Sequence, residues 1–394
     1  MVDYAFDGEQ ELLRSVVRQF CESEIAPRAA LLAKSIEIPK PIIESLRGMG
    51  LLAPCLPPDL GGPGLDPVSA GIVAEEIGAA DATLGIPVLY LVDASWSYFA
   101  WKHGSTKLRE EVLRPVARGE TLVGIATTEP DVGSDIAGTR MTMVRERDGY
   151  RVEGEKQYIS MIREVDRHGG GFVCLGRDES AGGLTAFYLP WSPEFEVSYL
   201  EGMGRHSCSW GGFKVPATKI DASMVIGIPG QGMRIVHEGY EFARCLVALA
   251  CVGAARRAER DGIEYLKARK AFGKPLAQFQ ALQFELAEHH AKIEAARQLA
   301  YRALWMFEQE QRSGRFSRLE VSQAVAEAKM LAPEWAFDAV NASVQWQGAY
   351  GYTKDCPEES ILRAVRSYKL AEGSTEIMKL IVARRLLGKE HTKP

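Results

Sequence analysis

The chain is 394 residues long, 46% hydrophobic and 25% charged, with a formal net charge of −5. That length and apolar content suit one large core or several domains and exclude a disordered chain. Lysine and arginine are scattered rather than blocked, which excludes an electrostatic footprint for nucleic acid, and no apolar run approaches the roughly 20 residues needed to cross a bilayer.

The N-terminus, Met1-Val-Asp-Tyr-Ala-Phe-Asp, lacks a basic and then apolar leader, so a cytoplasmic protein is expected. From Asp7 to near Arg118 apolar residues recur at helical spacing, as in Leu12, Leu13, Val16, Val17 and Phe20, then Ile42, Ile43, Leu46 and Leu51, then Val73 and Ile77. This helical block is broken by Leu56-Pro-Pro-Asp-Leu-Gly-Gly-Pro-Gly-Leu65, which cannot continue a helix and must be a loop. From Thr121 to Gly227 short apolar or alternating runs are punctuated by glycine, among them Gly171-Phe-Val-Cys-Leu-Gly and Leu184-Thr-Ala-Phe-Tyr-Leu, and predict antiparallel β structure. After Gly232 helical spacing returns through Arg234–Lys267, Leu282–Arg312, Arg318–Gln347 and from Pro357 to Leu387. There is no internal repeat.

The seven cysteines are dispersed, odd in number and free of Cys-x-x-Cys spacing, so reduced buried thiols are expected rather than disulfides or zinc. His289 and His290 are adjacent, and neighbours on a helix diverge by about 100°, so they make no chelating face and no metal is expected.

Neither a Gly-x-Gly-x-x-Gly turn after a strand nor a Gly-x-x-x-x-Gly-Lys-Ser/Thr loop is present, which disfavours the usual dinucleotide and P-loop folds. Thr127-Thr-Glu-Pro-Asp-Val-Gly-Ser-Asp135 instead surrounds a proline and a glycine with small hydroxyl residues, giving backbone N–H groups room to approach a phosphate or ring carbonyl. An ordinary turn with Asp and Ser capping reads equally from it. In Lys156-Gln-Tyr-Ile-Ser160 an aromatic and a hydroxyl share one strand face, which core packing also explains. Near the C-terminus Glu372-Gly-Ser-Thr-Glu376 sets a carboxylate between two helical stretches, suited either to an acid or base over a ligand or to a helix cap beside a solvated loop carboxylate.

The ordered set of motifs is more specific than any member. Thr128-Glu-Pro-x-x-Gly-Ser-Asp135, Gly154-x-Lys-x-Tyr-Ile-Ser160, Arg269-Lys-Ala-Phe-Gly-Lys-Pro-Leu276 with Gln280, Val344-Gln-x-x-Gly-x-Tyr-Gly-Tyr-Thr353 and Glu372-Gly-Ser-Thr-Glu-Ile377 resemble the acyl-CoA dehydrogenase family in order and spacing. The Leu56 to Leu65 loop is similar to that family's early Gly-Gly loop, so the resemblance runs over nearly the whole chain.

The resemblance implies an α+β fold with an N-terminal helical domain (1–120), a middle antiparallel β-barrel domain (121–229) and a C-terminal four-helix-bundle domain (230–394), usually within a homotetramer. It implies FAD, with Ile125, Thr127, Thr128, Gly133 and Ser134 against flavin and pyrophosphate and Tyr158 and Ser160 against the isoalloxazine. Arg269, Phe272 and Gln280 would hold the adenosine diphosphate half of an FAD shared with a neighbouring subunit, Gln345 and Gly348 would complete that site, and Ser374 and Glu376 would touch their own subunit's FAD. Ser134, Tyr90, Arg244 and Gly373 are implied on the substrate side. Glu372 is implied as the base that removes the α-proton of an acyl thioester while the β-hydride passes to flavin N5, with electrons going on to electron-transferring flavoprotein. Some relatives carry the base immediately before the matching arginine, where this chain has Ala243. Departures from the family pattern are Tyr158 for tryptophan, Ala271 for threonine, Ala364 for aspartate, Ala371 where tyrosine is frequent, Gln347-Gly-Ala349 for a glycine pair, and a loose match over Met203 to Phe213. Tyr90 would shorten the acyl pocket, and Asp93, one turn on, is similar in position to the aspartate that dehydrogenases of cyclic carboxyl-CoA esters use as a second acid or base. A short, branched or cyclic acyl-CoA is the resulting expectation. The alternatives are a cyclic-ester enzyme using Asp93, an oxidase, or a catalytically weak flavin-binding assembly protein.

Overall fold

The computed structural model describes residues 5–392, so the leader expectation, which starts at Met1, falls partly outside the described residues. Helix α1 (Gly8–Phe20) begins where Asp7 and Gln10 cap each other reciprocally, and its apolar stripe buries Val17 and Phe20. Helix α2 (Lys40–Gly48) buries Ile42, Ile43 and Leu46. The two helices that follow, α3 (Pro67–Ala80, capped by Asp66) and α4 (Gly85–His103), are buried on nearly every face, including the carboxylates Glu75, Glu76 and Asp93. Between them and α2, the 56–65 loop folds on itself through Gly64 N–H to the Leu56 carbonyl (2.9 Å) and Leu65 N–H to that of Pro54 (2.8 Å).

The middle third is one sheet of β1 (Leu122–Ala126), β2 (Thr142–Glu146), β3 (Gly149–Ser160), β4 (Gly170–Asp178), β5 (Gly183–Pro190), β6 (Glu196–Tyr199), β7 (Trp210–Asp221) and β8 (Val225–Ile226), in the order β6-β7-β3-β2-β4-β5-β8 with β1 also on β4. Its main ladders are antiparallel, but β1 runs parallel to β4 from Leu122 opposite Gly170 to Ala126 opposite Cys174, and β2 meets β4 in a single parallel pair. The parallel pairing becomes possible because a long excursion, including the short helix α5 (Ile162–His168), separates the two strands. The β3–β7 ladder slips between Gln157 and Ile159 and lifts Tyr158 out of register.

The last third holds α6 (Gly232–Ala268), α7 (Gln280–Ser313), α8 (Arg318–Trp346), α9 (Pro357–Tyr368) and α10 (Thr375–Leu387), with a two-stranded hairpin of β9 (Lys270–Ala271) and β10 (Lys274–Pro275) between α6 and α7. Helix α6 crosses α3 at two glycines: a Cβ on Gly78 would stand 2.3 Å from the Ala250 carbonyl oxygen, and one on Gly253 would stand 2.0 Å from that of Glu75. Buried Glu75 ties the same crossing to α7, pairing with Arg256, with Arg297 at 2.9 Å and with the Tyr301 hydroxyl at 2.6 Å. One continuous apolar core runs through all three thirds. All seven cysteines are free and buried, and burial pushes thiols such as Cys174 and Cys356 up to about 12. Among the described residues no helix is long and apolar enough to cross a membrane.

Candidate active site

The link between α9 and α10 is short because Ser374 ends it by capping Ile377 N–H at 3.4 Å. The turn is made by two successive left-handed residues, Glu372 at φ 57° and Gly373 at φ 95°. Glycine supplies that conformation at no steric cost, whereas a glutamate there costs about 1–3 kcal/mol and needs its surroundings to hold it. Those surroundings are specific. Arg244 of α6 donates from Nε to the Glu372 carbonyl at 2.7 Å, and Lys329 of α8 donates to the Gly373 carbonyl. Glu334 of α8 accepts from the Thr375 hydroxyl at 2.9 Å and pairs with Lys369, fixing both shoulders of the turn.

The Glu372 carboxylate has one buried oxygen, Oε2, with no hydrogen-bond partner among the described residues. Burial pushes its pKa up to about 7, with Arg244, Lys329 and Arg205 opposing that rise. A carboxyl near neutrality with an uncommitted oxygen is chemically an acceptor for a proton delivered by a ligand.

From Glu372 a chain of contacts reaches the middle sheet. The Arg244 guanidinium lies 5.4 Å from the Tyr240 ring, Tyr240 shares a hydroxyl hydrogen bond with Thr127 just after β1, and the Tyr240 ring stands edge-on to Trp96 of α4 at 5.2 Å. The Thr127–Asp135 segment is held beneath by a buried ion pair, Lys156 to Glu129 at 2.8 Å. Glu129 in turn accepts backbone N–H groups from Arg140 and Met141, and Lys156 also donates to the Leu175 carbonyl at 3.0 Å. Gln157 N–H reaches the Thr128 carbonyl at 2.9 Å, so the segment and β3 move as one. Above this platform Tyr158 is left-handed at φ 61°, 56% exposed and 5.9 Å from Trp210, while Ile125 and Ser160 are half-buried. A cavity of about 460 Å³ opens beside Trp210, lined by Arg163, Tyr199, Arg205 and His206 among others.

Glu372, Arg244 and Gly373 therefore meet Thr127 through Tyr240, and Thr128 lies against β3, the strand that carries Tyr158 and Ser160. Gly133 and Ser134 stand exposed, and a Cβ on Gly133 would meet nothing within 4 Å, which leaves backbone there open to a phosphate. Arg269, Phe272, Gln280, Gln345 and Gly348 are exposed on the bundle, and no hydrogen bond or ion pair among the described residues joins them to Glu372. Phe272, left-handed at φ 51° and 96% exposed, offers its ring among the described residues to Phe279 alone, at 6.3 Å. Ser374 spends its hydroxyl on the α10 cap and Glu376 is exposed in the first turn. An open aromatic face, an open glycine loop and a separate set of exposed cation, aromatic and amide groups fit the two ends of a flavin dinucleotide.

Tyr90 and Asp93 are wholly inside α4. Tyr90 donates to the Ala70 carbonyl at 2.9 Å. Both Asp93 oxygens are occupied, Oδ2 by Ala53 N–H at 2.7 Å and Oδ1 by Val123 N–H at 2.8 Å, and burial pushes its pKa up to about 7. It joins the left-handed turn at Ala53 to the start of β1. The residues that sequence reasoning missed are Tyr240, Lys329 and the Lys156–Glu129 pair. Tyr240 was findable, standing one turn before Arg244; Lys329 and Lys156 carry no mark of burial in their local pattern.

The acyl-CoA dehydrogenase N-terminal domain family matches residues 7–120, and the acyl-CoA dehydrogenase C-terminal domain family matches residues 230–387. A 3-(aryl)acrylate reductase of Clostridium sporogenes is 31% identical over 97% of this chain and 99% of its own length. A solved butyryl-CoA dehydrogenase from Megasphaera elsdenii superposes with a TM-score of 0.89 at 26% identity, covering 98% of this chain and all of that one. A solved complex of glutaryl-coenzyme A dehydrogenase with glutaryl-CoA gives a TM-score of 0.90 at 28% identity, covering all of this chain and 98% of that one.

Proposed function

Since this chain belongs to the acyl-CoA dehydrogenase family, FAD-binding oxidoreductases that act on acyl-CoA, we propose that it α,β-dehydrogenates a short, branched or cyclic acyl-CoA with Glu372 as the base. The observation that carries the reading is the Glu372 carboxylate, buried, near neutral and with Oε2 unpartnered. Oε2, itself buried, takes the α-proton, and its desolvation keeps the carboxylate basic enough to do so. Bound FAD supplies the hydride acceptor for the β-hydrogen. The Glu372 backbone N–H would donate to the thioester oxygen, where negative charge collects as the proton leaves. Arg244 acts through the turn's backbone, and Tyr240 carries the turn's position across to Thr127.

Ala371 beside the base leaves room for a branch or ring. Asp93 is the weaker base, since both of its oxygens already accept backbone N–H groups. Electron-transferring flavoprotein is the proposed electron acceptor, and a homotetramer the proposed assembly.

The test is anaerobic mixing of the holoenzyme with a panel of straight, branched and cyclic acyl-CoA thioesters, followed by flavin absorbance. Wild type should bleach with a compact acyl group, and Glu372→Gln should bleach about 10²- to 10⁴-fold more slowly. Equal rates would remove Glu372 as the base. A profile peaking at long straight chains would overturn the acyl assignment, and no bleaching by any thioester would favour an assembly role.

A further inference from the structure

Lys329 is 0% exposed in the middle of α8, yet its ammonium has no carboxylate in hydrogen-bond contact among the described residues. Burying an unpaired ammonium is costly, so the fold retains it against a penalty that a leucine or methionine would avoid. Its hydrogen bond goes to the Gly373 carbonyl, one peptide beyond the carbonyl that Arg244 holds at 2.7 Å. We propose that Lys329 is a positioning residue for Glu372: α8 through Lys329 and α6 through Arg244 clamp two consecutive peptide groups of the left-handed turn, so that the carboxylate, which has a free Oε2, is aimed by its backbone alone. The inference rests on the reading of Glu372 as the base.

Two further observations fit the clamp. Pro333 lies inside α8 and lacks the N–H that would bond to the Lys329 carbonyl, so the helix is loosened at the residue that reaches out. Glu334, next along, holds Thr375 and Lys369, so neighbouring positions of α8 grip both sides of the turn. The charges facing Lys329 are Arg244 and the Cys251 thiol from α6, Glu372 from the turn and Glu334 from α8 itself; burial first and Arg244 second lower its pKa to about 8. Those facing Glu372 are Arg244 and the Tyr240 phenol from α6, Lys329 from α8 and Arg205 from the segment before β7. Lys329 is one of the three cations that favour the Glu372 anion, and its loss leaves that anion with Arg244 and Arg205.

The experiment measures anaerobic flavin reduction against pH on holoenzyme variants, using the thioester that wild type reduces fastest, alongside amide hydrogen exchange over residues 370–375 without substrate. Lys329→Met should lose about 10- to 100-fold in limiting rate with little change in KM. Its pH midpoint should move up, and exchange over the turn should speed, while Lys329→Arg should recover part of each. Should Lys329→Met fail to load flavin, Lys329→Gln, which keeps a donor and loses the charge, should still raise the midpoint. An unchanged rate and midpoint in a flavin-loaded Lys329→Met or Lys329→Gln would overturn the proposal. A lost rate with unmoved midpoint and exchange would do so too, because a packing fault elsewhere behaves that way. Full activity in Glu372→Gln would instead sink the base assignment itself, which separates the two failures.

Discussion

At the scale of single residues the site separates two carboxyls that burial pushes to about 7, Glu372 and Asp93, by what their oxygens do. Asp93 accepts two backbone N–H groups and holds a turn to a strand; Glu372 keeps an oxygen free. Flavin reduction should therefore rise with pH through about 7 and level off above it, as Glu372 loses its proton and becomes a base; stopped-flow rates across that interval check this. Asp93→Asn should leave that midpoint in place, but it turns an amide donor toward a backbone N–H and should cost about 1–3 kcal/mol in urea unfolding near pH 4, a cost that shrinks as pH rises toward 7. A carboxyl raised by burial holds its proton better folded than unfolded, so Asp93 burdens the fold least below its unfolded value near 4 and most above about 7. The proposal for Glu372 came from the ordered motifs, since a carboxylate beside a glycine and a capping serine reads equally as a helix cap. Lys329 and Lys156 were not legible, because a lysine reads as surface until the tertiary fold shows which acceptor it meets.

At the scale of elements, helical periodicity located the long C-terminal helices to within a few residues, since each carries its own apolar stripe and caps such as Ser317 with Glu320. The direction of β1 was not legible: a five-residue apolar run states that it is a strand but not which neighbour it joins or in which sense. Nor was α5, which is shorter than the repeat needed to display a stripe. The α3–α6 crossing depends on Gly78 and Gly253, whose partners are backbone carbonyls that cannot rotate aside. Gly253→Ala should force the helices apart at the point where Glu75 binds Arg256 and Arg297, costing about 1–3 kcal/mol and lowering the thermal midpoint by a few degrees. Thermal unfolding followed by flavin release measures it. Gly48→Ala, in open space on α2 and away from the proposed flavin contacts, is the matched control for stability.

At the scale of the molecule, one chain leaves nine of the fourteen proposed flavin contacts exposed. In the homotetramer proposed above, the 96% exposed Phe272 at the tip of the hairpin, with Arg269 and Gln280 near it in sequence, would be covered by another copy. Phe272→Ser should remove about 1.5–3 kcal/mol of burial from each such contact, lowering flavin retention roughly 10- to 100-fold and shifting the assembly toward smaller species by light scattering. The buried cysteines carry a different consequence. Two lie among the N-terminal helices (Cys21, Cys55), two in or beside the sheet (Cys174, Cys208) and three in the C-terminal helical region (Cys245, Cys251, Cys356), all sealed from solvent. A thiol reagent therefore finds nothing to modify on the closed protein, and each adduct it does form dates the moment when one third of the molecule came open.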